Sequence, residues 1–133
     1  MEISLRGMPN YYKHPKIFAD FLTLYKKYYS AHRNLPKIFR VTVGTEIMRE
    51  MSDSMKLITL ANFKKNGRED YEEGLHHIKN LRGKVEIIKA YFLIAWEMKF
   101  ISHNFYADIL ERIEEISKQA AAWGAWFEKQ NNH

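Results

Sequence analysis

Apolar side chains recur at three- and four-residue intervals along most of the chain, the spacing that puts them on one face of an α-helix. Ile17, Phe21, Leu24 and Tyr28 form the first such stripe and predict a helix over 15–33. Pro15 suits its first turn, where a missing N–H leaves nothing unpaired. Asn34 reads as an N-cap, with Pro36 in the turn after it, and opens a second helix predicted over 35–65. Its stripe is Val43, Ile47, Met51, Met55, Ile58 and Asn62. The clearest break follows in KKNGRED (Lys64 to Asp70), because Asn-Gly is a strong turn pair.

A third helix, predicted over 68–99, carries Ile78, Leu81, Val85, Ile88, Phe92 and Ala95 on one face and Ile87, Tyr91, Ile94 and Met98 on another. Apolar residues on two sides mean burial on two sides, so this helix is either central or also meets a neighbouring subunit. Ser102 reads as the N-cap of a fourth helix over 103–129, with the stripe Phe105, Ile109, Ile113, Ile116, Ala120, Trp123 and Phe127. The only β-branched density, IFRVTV, lies where the second helix should begin. Four helices with short connections predict an all-α fold, an antiparallel up-and-down four-helix bundle. It forms one domain over 1–133, with 1–12 loose.

Composition narrows the class. Apolar residues make up 46% of the 133, enough for a core and too many for a disordered chain. There is no cysteine, which removes disulfides, thiolate metal sites and cysteine nucleophiles, and suits a reducing cytoplasm. The start of the chain has no apolar segment of the signal-peptide kind. The longest apolar run, Ala90 to Trp96, is far short of the roughly 20 residues a membrane helix needs, so no membrane association is expected.

Charge changes the picture more. The net charge is +5, and it is unevenly placed. Residues 1–40 hold eight Lys or Arg against two acidic residues, while the rest holds 13 against 14. Such asymmetry favours a polyanion, nucleic acid first of all, with a merely solubilising surface as the alternative. Tyr11 to His14, Tyr25 to Tyr29, Arg33, Lys37 and Arg40 mix cations with aromatics. Cations neutralise phosphates and release counterions, and tyrosine rings can stack on unpaired bases. Lys26, Lys27, Arg33, Lys37 and Arg40 are therefore candidate phosphate contacts. Tyr25, Tyr28 and Tyr29 can equally be packing residues of the first helix. Lys79, Arg82 and Lys89 form a second candidate patch on helix three, with Glu86 among them. Internal ion pairing explains that patch as well as nucleic acid does.

Catalytic signals are sparse. Glu73 and His76 share a helix face, as in the Glu-x-x-His pairs of di-iron bundles, but such sites need two pairs and further carboxylates. The simpler reading is an exposed charged turn. No nucleophile motif and no phosphate-cradling glycine loop occurs, so no catalytic residue, metal or cofactor is expected. Trp123, Trp126 and Phe127 lie beside Ala120, Ala121, Ala122 and Gly124. Core packing accounts for most of this, but both tryptophans do not fit one core. Trp126 therefore joins Tyr91, Ile94 and Met98 as candidates for a subunit interface.

Three segments together resemble a known family. The first holds Pro36, Lys37, Arg40 and Gly44; the second Glu97, Met98, Ile101, Ser102 and Tyr106; the third is EISKQAAAW, from Glu115 to Trp123. In order and spacing they are similar to the four-helix bundle family containing the accessory variability determinant of diversity-generating retroelements. That family also includes small proteins encoded within intervening sequences of bacterial large ribosomal RNA genes. The likeness spans about residues 34–127. Lys118 stands where the family has Arg, and Ser117, Ala121 and Ala122 stand for glycines. Lys89 and Leu93 occupy positions that are often Arg, which lowers the basic density of helix three.

The resemblance implies a non-enzymatic protein forming a homopentamer of bundles. It would bind a reverse transcriptase and its template RNA, or DNA, through basic surfaces and support mutagenic copying. The ribosomal branch implies a structural or interaction protein without that role. The basic first third favours the retroelement branch.

Overall fold

Each apolar stripe marks a helix in the computed structural model, which describes residues 15–64 and 66–132. The elements are α1 (Lys16–His32), α2 (Lys37–Phe39), a π-helical turn (Arg40–Gly44), α3 (Thr45–Asn62), α4 (Arg68–Glu97) and α5 (His103–Asn131). The short α2, the π-turn and α3 run on as one helical arm. The predicted all-α four-helix bundle is therefore what forms, and no strand occurs among the described residues. The expectation for residues 1–12, and the Tyr11–His14 part of the basic run, lie outside the described residues.

Cross-helix pairs set the direction of each arm. Lys64 meets Glu73 at 2.8 Å and Lys84 meets Glu50 at 2.9 Å, so α3 and α4 are antiparallel. Gly74 packs on Phe127, Lys89 meets Glu114 at 2.6 Å, and Trp96 stacks on Tyr106 at 4.9 Å, so α4 and α5 are antiparallel too. Lys16–Glu115 and Lys27–Asp108 bring α5 back against α1 and close the ring.

The core follows the stripes. Ile17, Phe21, Leu24 and Tyr28 of α1 are buried as expected, and so are Ile78, Leu81, Val85, Ile88, Phe92 and Ala95 of α4. The arm carrying α3 departs from expectation. Its buried line is Gly44, Ile47, Met51, Ser54, Ile58 and Ala61, not one through Val43, Met55 and Asn62. Small residues hold the positions of closest approach, and the larger Val43 and Met55 pack beside them, half-buried. The Ser54 hydroxyl is satisfied inside the helix by donating to the Glu50 carbonyl at 2.7 Å.

The helix starts are of two kinds. Ser102 caps α5 as predicted, its Oγ accepting from the Phe105 N–H at 3.1 Å. Asn34 does not cap the second arm. Its N–H instead closes a turn on the Ala31 carbonyl at 3.0 Å, and the helix begins after Pro36.

Candidate nucleic-acid interface

Two connections meet at one end of the bundle: the turn from α1 to α2 and the turn from α4 to α5. The rings of Phe39 and Phe100, 4.8 Å apart, join them. Phe39 is flanked in sequence by Lys37 and Arg40, and Phe100 by Lys99, so their packing brings both cation-bearing segments to this end.

The π-turn shapes the first of these segments. Val41, Thr42 and Val43 are poor helix formers, and the widened turn is held by side chains. The Thr45 hydroxyl donates to the Arg40 carbonyl at 2.6 Å, and the Thr42 hydroxyl to the Ile38 carbonyl at 2.5 Å. The turn ends on Gly44 because α1 passes too close for a side chain. A Cβ there would lie 2.8 Å from His32 Cε1 and 2.9 Å from the Tyr28 hydroxyl. Those two side chains hydrogen bond at 3.0 Å, Tyr28 Oη to His32 Nδ1. Burial raises the Tyr28 pKa, so its phenol keeps its proton. Burial also lowers the His32 pKa, and the Arg40 charge lowers it further, which favours the neutral imidazole, whose tautomer sets which of the two donates.

Arg33, Lys37 and Arg40 therefore sit together at this end, and no carboxylate lies within ion-pair distance of any of them among the described residues. Lys26 on α1 and Arg33, the residue that closes it in a still helical conformation, are seven residues apart, hence on one outward face about 10 Å apart along the axis. Tyr29 lies between them and is 57% exposed. Of the three tyrosines, Tyr28 is a core residue, Tyr25 is half-buried against the core, and Tyr29 alone keeps its ring open to a partner. Arg40 is partly covered, and its Nε is shut from solvent without a hydrogen-bond partner.

The remaining candidates do not join this surface. Lys27 is held by Asp108 at 2.6 Å and lies over the Phe105 ring, so it serves the α1–α5 contact. Lys89 is held by Glu114 at 2.6 Å and serves the α4–α5 contact. Each of those two charges already has a carboxylate beside it, unlike Arg33, Lys37 and Arg40. Lys79 and Arg82 are exposed and meet no carboxylate among the described residues, but they stand on α4 about 25 Å along the axis from its basic end. Lys99 is an exposed cation at the basic end, which the sequence reading takes as the last residue of helix three. Its position just past the end of α4 is the signal that marks it out.

The subunit-interface candidates also divide. Tyr91, Ile94 and Met98 line one stripe of α4 with Ile87, half-buried to 61% exposed. Ile38 and Val41 are exposed at the same end. Trp126 stands elsewhere, edge-on to Tyr71 at 5.6 Å, roughly 30 Å along α4 from Tyr91. Glu73 and His76 do not combine: Glu73 pairs with Lys64, and His76 contacts Asn80 at 3.4 Å. Among the described residues no group of three or more His, Asp or Glu is placed to hold a metal ion. No helix among them is long and apolar enough to cross a membrane. No protein-family model, curated protein or solved structure matches the chain.

Proposed function

We propose that this bundle is a non-enzymatic nucleic-acid-binding protein that contacts the phosphate backbone through its basic end. Lys26, Arg33, Lys37 and Arg40 supply the charge, and Tyr29 a ring for an unpaired base. The observation that carries the reading is the contrast in pairing. Eight cationic side chains elsewhere in the described chain reach carboxylates, whereas this group meets none and is gathered at one place. Lys56, Lys79, Arg82, Lys118 and Lys129 are also unpaired, but they are spread along α3, α4 and α5. Backbone contacts of this kind bind with strong salt dependence and little sequence preference.

The family resemblance extends the reading to an accessory role in a diversity-generating retroelement. There the protein would assemble with itself in the cytoplasm as a pentamer and hold a reverse transcriptase on its template RNA or DNA. The half-exposed stripe through Tyr91, Ile94 and Met98 is the surface that supports self-association. A second reading, a structural module without nucleic acid, is favoured by the ion-paired state of Lys27 and Lys89.

Binding of a labelled single-stranded RNA at low salt separates the two. Reversal of Arg33, Lys37 and Arg40 to Glu should cut affinity by at least about 100-fold and flatten the salt dependence, by about 0.7 in log–log slope for each phosphate no longer neutralised. Unchanged affinity sinks the basic-end assignment. A reverse-transcriptase gene beside its own, and co-elution of the protein with that enzyme, test the retroelement role, and the absence of either sinks that part alone.

A further inference from the structure

Two described residues have positive φ, and they sit at opposite ends of the bundle. One is Gly67 at 123°, where glycine is the expected residue. The other is Lys99 at 63°, the left-handed conformation that a side chain disfavours. Lys99 follows the last turn of α4. Its N–H bonds the Trp96 carbonyl, and the Phe100 N–H bonds the Ala95 carbonyl, both at 2.9 Å. That is the hydrogen-bond pattern of a helix end normally closed by glycine. Here the chain places a lysine at the position, exposed and with no carboxylate among the described residues within ion-pair distance.

Its surroundings point to what the lysine is for. Phe100, the next residue, packs on Phe39, between Lys37 and Arg40. Lys99 is thus an exposed cation placed where backbone conformation argues against it, on a turn packed against the segment that carries Lys37 and Arg40, so an anion lying across that junction is attracted by both segments.

We propose that Lys99 is a phosphate-contacting residue of the basic end, joining Lys37 and Arg40 across the Phe39–Phe100 junction in binding the phosphodiester backbone of single-stranded RNA. This inference rests on the nucleic-acid reading given above and adds the α4–α5 turn to the surface. The turn holds its left-handed conformation at a cost in stability because a glycine there carries no charge.

Lys99→Gly therefore separates binding from folding. The variant should melt about 2–6 °C higher, since the conformational penalty is removed. It should bind a fluorescein-labelled RNA of about 20 nucleotides about 3- to 10-fold more weakly at about 50 mM salt, with the salt slope reduced by about 0.7. Lys99→Arg should bind as the parent does. A glycine variant that binds as tightly as the parent overturns the role of Lys99, and so does one that melts no higher. If reversal of Arg33, Lys37 and Arg40 still abolishes binding in that case, the wider interface stands. If the parent itself fails to bind the RNA, both readings fall.

Discussion

At the end of the bundle where α3 turns into α4, local chemistry and backbone agree. The extreme φ falls on Gly67, Lys64 is paired with Glu73, Arg68 lies 3.7 Å from Glu72, and Gly74 lets the Phe127 ring close against α4. The opposite end breaks the same rules one after another. A lysine takes the left-handed position, a π-turn interrupts the second arm and cations stand without carboxylates, while each end has one buried polar atom without a partner, Arg40 Nε here and Asn131 Oδ1 beside Tyr71 at the other. Sequences that fold well are locally consistent, and departures gather where something other than stability is selected. The contrast teaches that the basic end is the part of this molecule not explained by its own folding.

Glycine substitutions give the sharpest test of that contrast. A Cβ at Gly74 would stand 2.3–2.4 Å from the Phe127 ring, whose atoms belong to the buried core. Gly74→Ala should therefore destabilise by about 2–3 kcal/mol in urea unfolding. A loss under about 0.5 kcal/mol would mean that the consistent end is not tightly packed after all. Gly44→Ala meets the tips of two side chains, Tyr28 and His32, which can swing away at the expense of their mutual hydrogen bond. The expected loss is smaller, about 1–2 kcal/mol. If it equalled that of Gly74→Ala, the two ends would be equally unyielding.

The smallest effect concerns pH. The His32 pKa is lowered in the folded state, by burial first and then by Arg40. The unfolded chain then binds more protons as pH falls below about 6.5, so stability drops in that range. Tyr28 and Arg40 face the ring, and no carboxylate takes part to hold the proton. His32→Gln should make unfolding free energy less dependent on pH between about 5 and 6.5. His77, near the other end, is also lowered by burial and by His76, with Glu73 opposing, and accounts for slope that remains. An unaltered slope in His32→Gln would show that the imidazole is freely protonated where it stands.

Much of the fold is legible in the sequence because large aliphatic side chains at helical spacing report burial directly. The stripes of α1 and α4 are cases in point. Where helices approach most closely the signal inverts, because the buried residue is small. A hydrophobic pattern therefore selects Val43, Met55 and Asn62 over Gly44, Ser54 and Ala61. The cations show a different gap. A sequence displays charge but not its partner: Lys27 and Asp108 are 81 residues apart in the chain and 2.6 Å apart in space. Arg33, Lys37 and Arg40 stand out because they flank a readable turn. Lys99 does not, because the hydrophobic pattern counts it as the last residue of the helix and gives no sign that the helix has already ended at Glu97.

The widened turn at Arg40–Gly44 has a geometric consequence for the arm that contains it. One additional residue within a turn offsets everything before it by about 100° in azimuth around the helix axis. The bearing of Lys37 and Ile38 is thus decoupled from the register in which Ile47, Met51 and Ile58 enter the core. A single-residue deletion between 40 and 44 would close the wide turn to an ordinary helical one with little change of bearing on either side, whereas tightening the turn without a deletion would swing that corner by more than a quarter revolution and pull Phe39 from Phe100.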